Sequence, residues 1–303
     1  MKVSGTGHPY LLLFLVILIW GINHIIARCM SSPVLFGYVH ITGVLLAFLR
    51  YVMGALTLTA VLFLKESSLL KIRDQLRPFI GVLAVSILAS SVFVLAANQS
   101  QAYASAGTTS IIINICPVLV FVYGIFFLEE EITILKAIGF ALGLLGGLMF
   151  LYTSVKSDGS HHMVWGVLLA TIAMFAWTGY TITLHYLEGV NRLAVISIQL
   201  IVSSLLIVPF LGVYLMTSPL EFVLDIWSIL GIVFCGVVSS GIGYLLFFRT
   251  IDAIGAPKAA SFLFLVPFVS LWGDIMLQEL PQPVTLLGGV AAILGVALIK
   301  RER

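Results

Sequence analysis

The chain has 303 residues, of which 61% are hydrophobic and 9% are charged, with a formal net charge of +2. A soluble domain usually carries about 25% charged residues, so water could not solvate this surface and we expect lipid to surround the chain. The small net charge indicates neither a nucleic acid nor an acidic partner. The three widely separated cysteines form neither a disulfide framework nor a metal-binding spacing.

Apolar stretches long enough to span a membrane follow one another along the chain, since a helix needs about 20 apolar residues to cross the hydrocarbon core. The first half supplies five, near residues 9–29, 41–64, 78–101, 106–128 and 132–153. The second half supplies five more, near residues 163–186, 193–216, 226–249, 256–277 and 283–299. These stretches, called spans one to ten, predict an all-α membrane protein with ten transmembrane helices, because the alternating polarity of a membrane β-barrel is absent.

Span four and its surroundings carry a pattern that recurs 150 residues later. In each half a proline is followed after 12 residues by a glutamate, and after a further 10 by a glycine. The landmarks are Pro117, Glu129 and Gly139 in the first half and Pro267, Glu279 and Gly289 in the second. A shared register over spaced landmarks indicates an internal repeat. We therefore predict two homologous units, residues 1–153 and residues 163–303.

The number of spans fixes how the two units are related. Because each unit has five spans, the second must enter the membrane inverted relative to the first. If the N-terminus is cytoplasmic, twelve of the fifteen Lys and Arg residues lie on the cytoplasmic side, the others being Arg28, Arg50 and Lys156. Positive residues favour that side, so we predict cytoplasmic N- and C-termini and a location in the plasma (inner) membrane.

Inverted repeats of this kind are typical of transporters whose site lies near the membrane midplane. One fold used in both directions supplies two states of similar energy, one open inward and one open outward. We therefore expect a central cavity between two inverted five-helix repeats.

Two ionisable residues lie deep within spans, Arg50 in span two and Asp274 in span nine. Burying a charge in lipid is costly, so such residues usually face a cavity or a partner. One interpretation is a structural ion pair. The other is that Arg50 and Asp274 form a gating or charge pair that holds the two poles of a zwitterionic solute.

Uncharged polar residues and aromatic residues recur in the same spans. A side-chain amide that faces lipid would lack a hydrogen-bond partner, so we expect these residues to face the interior. Any single one could serve only as a hydrogen bond between helices, whereas the set predicts a pocket wall. The predicted cavity residues are Trp20, Asn23, His24, Asn98, Gln99, Tyr103, Asn114, Trp177, Tyr180, Tyr244 and Trp272.

Proline and glycine mark further features of the spans. Pro117 and Pro267 each remove an amide donor within a span, and their presence in both halves favours hinges over simple packing kinks. Small residues about one turn apart let helix backbones approach closely; they are Gly139, Gly143 and Gly147 in span five and Gly288, Ala292 and Gly295 in span ten. They predict scaffold contacts or the interface of a homodimer.

The sequence motifs of intramembrane proteases are not matched in this chain. An intramembrane aspartyl protease needs two aspartates, and Asp274 is the one candidate in the spans. The segment that contains Ser239, Ser240 and Gly241 does not match the Gly-x-Ser-Gly motif of a rhomboid-like protease. No Walker-type phosphate loop is present, so ATP does not drive a cycle from within this chain. We predict no catalytic residue, no cofactor and no metal site.

A known family shares several of these residues. Trp20-Gly21-x-Asn23 in span one, Arg50 in span two and the paired Pro-Glu-Gly pattern resemble the EamA family of the drug/metabolite transporter superfamily. The resemblance covers essentially the whole chain as two units. It implies a cavity lined mainly by spans one, three, four, six, eight and nine, with spans five and ten peripheral. It also implies export or exchange of small metabolites such as amino acids.

We therefore expect a secondary transporter that moves zwitterionic or weakly polar small molecules across the lipid bilayer by alternating access. Protons are a candidate coupling ion. The alternatives from other classes are an intramembrane enzyme and a non-transporting membrane scaffold. The second half has Thr178 after Trp177, and Gln199 where the first half has Arg50, so the solute-binding face should be asymmetric.

Overall fold

A computed structural model describes residues 9–33, 36–65, 69–128, 131–157, 161–187, 189–217, 222–277 and 283–301. Glu129 and Glu279 lie outside the described residues. The first half contains α1 (Pro9–Ser31), α2 (Gly43–Lys65), α3 (Leu69–Leu76), a 3₁₀ turn (Arg77–Phe79), α4 (Ile80–Tyr103), α5 (Ala106–Ile113), α6 (Cys116–Phe127) and α7 (Ile134–Ser157). The second half contains α8 (His161–His185), α9 (Arg192–Thr217), α10 (Ile226–Val233), a π-helix (Phe234–Gly243), α11 (Tyr244–Ile254), α12 (Ala256–Ser261), a 3₁₀ turn (Phe262–Leu265), α13 (Val266–Met276) and α14 (Pro283–Arg301).

Eight helical stretches within the described residues are long and apolar enough to cross a membrane. They are Pro9–Ser31, Gly43–Lys65, Ile72–Tyr103, Ala106–Phe127, Met163–His185, Arg192–Thr217, Ile226–Ile254 and Lys258–Met276. Helix α7 adds a shorter apolar stretch, Ile134–Met149. The chain is thus an all-helical membrane protein, and the total of ten spans stays a prediction.

Both spans that contain a predicted hinge proline are interrupted. Span four breaks between α5 and α6, and Pro117 lies in the first turn of α6. Span nine breaks into α12, the second 3₁₀ turn and α13, with Pro267 in the first turn of α13. A first-turn proline costs little, because the amide hydrogen that it lacks would have no partner within the helix. Each span is therefore built from separate helical segments that meet at a proline.

Span eight contains a ten-residue π-helix between α10 and α11. A π-helix pairs residues five apart, and a side-chain bond here has the same spacing. The Ser240 hydroxyl donates to the carbonyl oxygen of Cys235, five residues earlier (2.9 Å). Gly236 allows close contact with α2, because a Cβ there would lie 3.0 Å from the carbonyl oxygen of Arg50. Such π-helical segments are rare and frequently occur at functional sites.

The contacts between the halves come in matched sets. Helix α2 packs on α9, and α7 packs on α14. The contact of α4 with α8 is matched by that of α1 with the π-helix and α11, and the contact of α1 with α13 is matched by those of α8 with α5 and α6. Each contact therefore has a counterpart when spans one to five are exchanged with spans six to ten.

The glycine-rich faces of α7 and α14 lie against each other. A Cβ at Gly139 would lie 2.7 Å from the carbonyl oxygen of Gly295, and one at Gly288 would lie 2.7 Å from that of Gly146. Small residues are what allow two backbones to approach this closely in lipid. These glycines thus make a contact within one chain, and they give no support to the predicted homodimer.

Candidate functional site

A cavity of about 40 Å³ lies between the two halves. A water molecule needs about 10–15 Å³ of such space, so this conformation admits water-sized molecules. An amino acid can enter only if the surrounding helices move apart. In this structure the cavity is therefore too small to hold an amino acid.

Seven of the predicted residues line this cavity: Trp20, Asn23, His24, Arg50, Asn114, Trp177 and Tyr244. They come from spans one, two, four, six and eight. The remaining wall consists of Phe93, Ala97, Gln101, Ile113, Ser239 and Val266. Span two thus contributes to the cavity through Arg50, in addition to the spans that the family resemblance implied.

Aromatic rings form one side of the cavity. The Trp20 and Trp177 rings meet edge to face with centroids 5.3 Å apart, and Phe93 lies 4.7 Å from Trp177. Trp20 also meets Tyr244 edge to face at 5.9 Å. Aromatic pairs of this geometry supply a large apolar surface with fixed orientation, which suits the non-polar part of a solute.

Arg50 is buried at the cavity, with 4% of its surface exposed. Its Nε donates to the Ser240 hydroxyl (3.0 Å), and one terminal nitrogen donates to the Ser239 hydroxyl (3.2 Å). Within the described part of the chain, no carboxylate lies at ion-pair distance from this guanidinium. A buried charge without a counter-charge is costly, so the cavity holds a cation that an anionic group would stabilise.

Two amide oxygens complete the polar lining. Gln101 Nε2 donates to Nδ1 of His24 (2.7 Å). Among the described residues, Gln101 Oε1 and Asn23 Oδ1 are buried and have no hydrogen-bond partner. An unsatisfied buried acceptor costs about 1–3 kcal/mol. The cavity thus combines an uncompensated cation with unused acceptors, and a ligand that carries both an anion and a donor would satisfy both.

Asp274 lies in a different environment from Arg50. It has 4% of its surface exposed, and its carboxylate accepts hydrogen bonds from the Gly107 amide (2.9 and 3.1 Å) and the Ser105 hydroxyl (3.0 Å). These donors form the N-terminus of α5, where the helix dipole favours a negative charge. Asp274 therefore stabilises the start of α5 and ties it to α13.

Two predicted cavity residues bond to other groups. Asn98 is buried, and its Nδ2 donates to the carbonyl oxygen of Val94 within α4 (2.7 Å). The Tyr180 hydroxyl donates to Gln199 Oε1 (3.1 Å), joining α8 to α9. The Asn98 bond thus stays within one helix, whereas the Tyr180 bond joins two.

The other predicted residues lie away from the cavity. Gln99 and Tyr103 are half-buried near the end of α4, and Trp272 is 69% exposed on the outer face of α13. Pro117 is buried at the start of α6 and Pro267 at the start of α13. Their hinge role stays a prediction.

Sequence reasoning missed Gln101 and the serine pair that binds Arg50. Phe93, Ala97 and Gln101 are spaced four residues apart, so they share one face of α4. That spacing could have placed Gln101 in the cavity. Ser239 and Ser240 stand out as a polar pair within an apolar span. Their joint contact with Arg50 depends on the π-helix, which the sequence pattern did not indicate.

Contacts between the halves close the bundle at the end where α1 stops and α2 begins. The Val223 amide donates to the carbonyl oxygen of His40 (2.8 Å), and His40 Nδ1 lies 3.3 Å from a carboxylate oxygen of Asp225. The Ser228 amide donates to Asp225 (2.8 Å). This bond, with a further contribution from His40, holds the pKa of Asp225 below its usual value.

Other contacts between the halves close the opposite end of the bundle. The hydroxyl groups of Tyr123 and Tyr186 lie 2.5 Å apart. The Tyr10 ring lies 5.6 Å from the Phe262 ring. Both ends of the bundle therefore carry contacts that join the first half of the chain to the second.

Comparison with known proteins identifies the class of molecule. The sequence profile of the EamA-like transporter family matches residues 8–152 and again residues 164–301. An uncharacterized transporter of Archaeoglobus fulgidus is 30% identical over 73% of this chain and 78% of its own. A probable amino-acid metabolite efflux pump of Salmonella typhimurium is 23% identical over 94% of this chain and 92% of its own.

The fold also has a counterpart among solved structures. One crystal structure superposes with a TM-score of 0.72 at 16% sequence identity, and the alignment covers 96% of both chains. At this identity the likeness concerns the fold alone. The profile matches account for nearly the whole sequence, and the chain belongs to the EamA-like transporter family.

Proposed function

We propose that this protein is a secondary transporter that exports or exchanges small zwitterionic metabolites, amino acids in particular, by alternating access. The observation that carries the proposal is Arg50, a buried cation at the cavity with no carboxylate at ion-pair distance in the described structure. The name of the Salmonella relative, a probable amino-acid metabolite efflux pump, supports this substrate class.

The lining supplies a complementary group for each part of such a solute. The solute carboxylate pairs with Arg50, whose planar guanidinium suits a carboxylate. The ammonium group donates to Asn23 Oδ1 and Gln101 Oε1, the acceptors left unused in the closed cavity. The solute side chain packs against the aromatic side of the cavity. Binding thus satisfies polar groups that are otherwise buried at a cost.

The transport cycle uses two inverted five-helix units with cytoplasmic termini in the plasma (inner) membrane. The matched contacts between the halves support a two-fold relation of the units. Contacts such as His40 with Asp225 break when the cavity opens at one end, and contacts such as Tyr123 with Tyr186 break when it opens at the other. The helix breaks at Pro117 and Pro267 act as hinges, and Asp274 keeps α5 in register with α13.

Proteoliposomes loaded with labelled solutes test this function. The panel contains an amino acid, its primary amide and the corresponding decarboxylated amine, each measured with and without a pH gradient. We expect efflux of the amino acid above that of protein-free liposomes, and much slower efflux of the two analogues, because each loses the carboxylate that pairs with Arg50. A pH gradient that changes the rate would identify proton coupling.

A variant that fills the cavity supplies the control. Ala97 lines the cavity, so Ala97→Trp should abolish efflux. Leu88 on the same helix is 57% exposed, and Leu88→Trp should leave efflux unchanged. Absence of protein-dependent flux for every amino acid in a broad panel would contradict the proposed function.

A further inference from the structure

A second space in the molecule lies on its periphery and is far larger than the central cavity. It is a groove of about 660 Å³ bounded by the last turns of α2, by α3, and by the first turns of α4 and α9. Its open walls are apolar, since Phe63 is 60% exposed, Ile80 is 71% exposed and Ile201 is 38% exposed. The groove therefore exposes apolar walls on the surface that would contact the membrane.

Helix α3 forms the polar rim of this groove. Ile72 and Leu76, one turn apart, are buried and pack with Leu83 of α4. The exposed face of α3 carries Arg73, and Arg77 follows directly after the helix. Arg73 and Arg77 lie within the first six residues of the Ile72–Tyr103 stretch, ahead of its long apolar part. Basic residues that flank a span are expected at the depth of the lipid headgroups.

Of the two arginines on the rim, Arg73 pairs with a carboxylate among the described residues and Arg77 does not. Arg73 donates from Nε and a terminal nitrogen to one carboxylate oxygen of Asp74 (3.2 and 3.0 Å). In the described part of the chain, no carboxylate lies at ion-pair distance from Arg77. Among the side chains of this rim that the structure describes, two arginines and one aspartate give a net charge of +1, which complements the single negative charge of a phosphodiester.

We propose that this groove binds an anionic phospholipid, with the phosphodiester between Arg73 and Arg77 and an acyl chain along Phe63, Ile80 and Ile201. The apolar walls favour a lipid over a soluble anion, which would leave them exposed. The groove also lies at the bundle end that the Lys and Arg distribution places in the cytoplasmic leaflet. Anionic lipids there attract basic residues next to a span by about 1 kcal/mol for each Lys or Arg.

Retention of lipid by the purified full-length protein tests the charge contribution. The protein is incubated in mixed micelles of phosphatidylglycerol and phosphatidylcholine in equal amounts, and the lipids that stay bound are counted by native mass spectrometry. We expect phosphatidylglycerol to be enriched. Arg77→Gln should lower that enrichment roughly five-fold, and Arg77→Lys should restore most of it. Lys65→Gln removes a charge at the same end of the bundle but outside the groove, and should leave the enrichment unchanged.

A second pair of variants tests the groove itself. Ile201 lines the groove, and Ile201→Trp should block lipid retention by filling it. Leu205, one turn further along α9 and 63% exposed, lies outside the lining, and Leu205→Trp should retain lipid. Melting temperatures close to that of the wild type establish that each variant is folded.

Several results would overturn the proposal. They are equal retention of the two lipids, equal loss in Arg77→Gln and Lys65→Gln, and full retention in Ile201→Trp. Displacement of phosphatidylglycerol by inorganic phosphate alone would also overturn it, because it would assign the rim to a soluble anion. Retention requires no transport, so these outcomes are independent of the transport assay.

Discussion

Arg50 and Asp274 are both buried to the same degree within the membrane-spanning part of the molecule, yet their surroundings differ. Asp274 accepts hydrogen bonds from the Gly107 amide in the first turn of α5 and from the Ser105 hydroxyl. Arg50 donates to two neutral hydroxyls and faces the cavity without a carboxylate at ion-pair distance in the described structure. The charge of Asp274 is compensated by a helix terminus, and we propose that a bound solute compensates the charge of Arg50.

We infer that this difference separates a structural charge, at Asp274, from a solute-binding charge, at Arg50. The depth of a residue in a span shows only that its charge is costly there. The groups around it decide whether the protein or a solute offsets that cost. We therefore expect substitutions of Asp274 to reduce stability, and substitutions of Arg50 to reduce solute binding at little cost in stability.

The largest expected effect on stability is at Asp274. Asp274→Ala leaves the Gly107 amide and the Ser105 hydroxyl without their acceptor, and hydrogen bonds to a charged group are worth about 1.5–3 kcal/mol each. We expect the free energy of unfolding to fall by about 3 kcal/mol, measured by denaturation of the purified protein in detergent. Arg50→Gln is the matched control and should lose less than about 1 kcal/mol, because it removes an uncompensated buried charge. Equal losses at the two positions would contradict the distinction.

The contact between α7 and α14 tests whether stability can change without any effect on the solute. Gly295→Val introduces side-chain atoms against the backbone of Gly139, and overpacking of this kind costs about 1–3 kcal/mol. Gly212→Val in α9 meets no atom within 4 Å and should cost little. Amino-acid affinity should stay unchanged in both variants. A large loss of affinity in Gly295→Val would place the solute near α7 and α14, against the account.

A smaller effect is expected at the acceptors of the cavity. Asn23→Leu removes one of the two oxygens that the solute ammonium would use. Because Gln101 Oε1 still accepts from the ammonium, we expect a loss smaller than about 1.5–3 kcal/mol, the value of a whole charge-assisted bond. Amino-acid affinity should fall accordingly, by roughly three- to ten-fold, as measured by isothermal titration. Asn98→Leu is the control, since Asn98 also has a buried unpartnered oxygen but lies outside the cavity lining. The same loss of affinity in both variants would refute a role specific to Asn23.

The smallest expected effect concerns Asp225, at the end of the bundle near the α1–α2 loop. Its pKa is lowered in the folded protein, first by the Ser228 amide and then by His40. A lowered pKa means that the carboxylate stabilises the fold above its unfolded value, near 3.8, and that this contribution is lost as the pH falls through the lower folded value. Asp225→Asn should therefore melt at a lower temperature than wild type at pH 7. The two melting curves should converge in acid, and a difference that grows with acidity would be inconsistent with this assignment.

The sequence was sufficient to predict the lipid environment and the helical class, because both follow from the hydropathy along the chain. It also singled out Pro117 and Pro267, each of which lies in the first turn of a helix, and their role as hinges stays a prediction. Six of the eleven residues that the sequence predicted for the cavity line it, and Arg50, predicted as one member of a charge pair, lies beside them.

The relation of Arg50 to Asp274 could not be predicted, because a position in a span fixes depth but not the direction in which the side chain points. The π-helix in span eight could not be predicted from the sequence pattern either. It changes the rotation of every residue that follows, and it brings Ser239 and Ser240 together on Arg50. Trp272 was predicted to line the cavity, but its side chain is exposed on the outer face of α13. Its depth in the span did not reveal the direction in which it points.

The central claim is that Arg50 binds the carboxylate of the transported solute. The most direct test compares wild type and Arg50→Gln for equilibrium binding of an amino acid and of its decarboxylated amine. The account predicts that the substitution weakens amino-acid binding by roughly ten- to one-hundred-fold, since a charge-assisted bond is worth about 1.5–3 kcal/mol, and leaves the weak binding of the amine unchanged. Amino-acid binding by Arg50→Gln at wild-type affinity would contradict it.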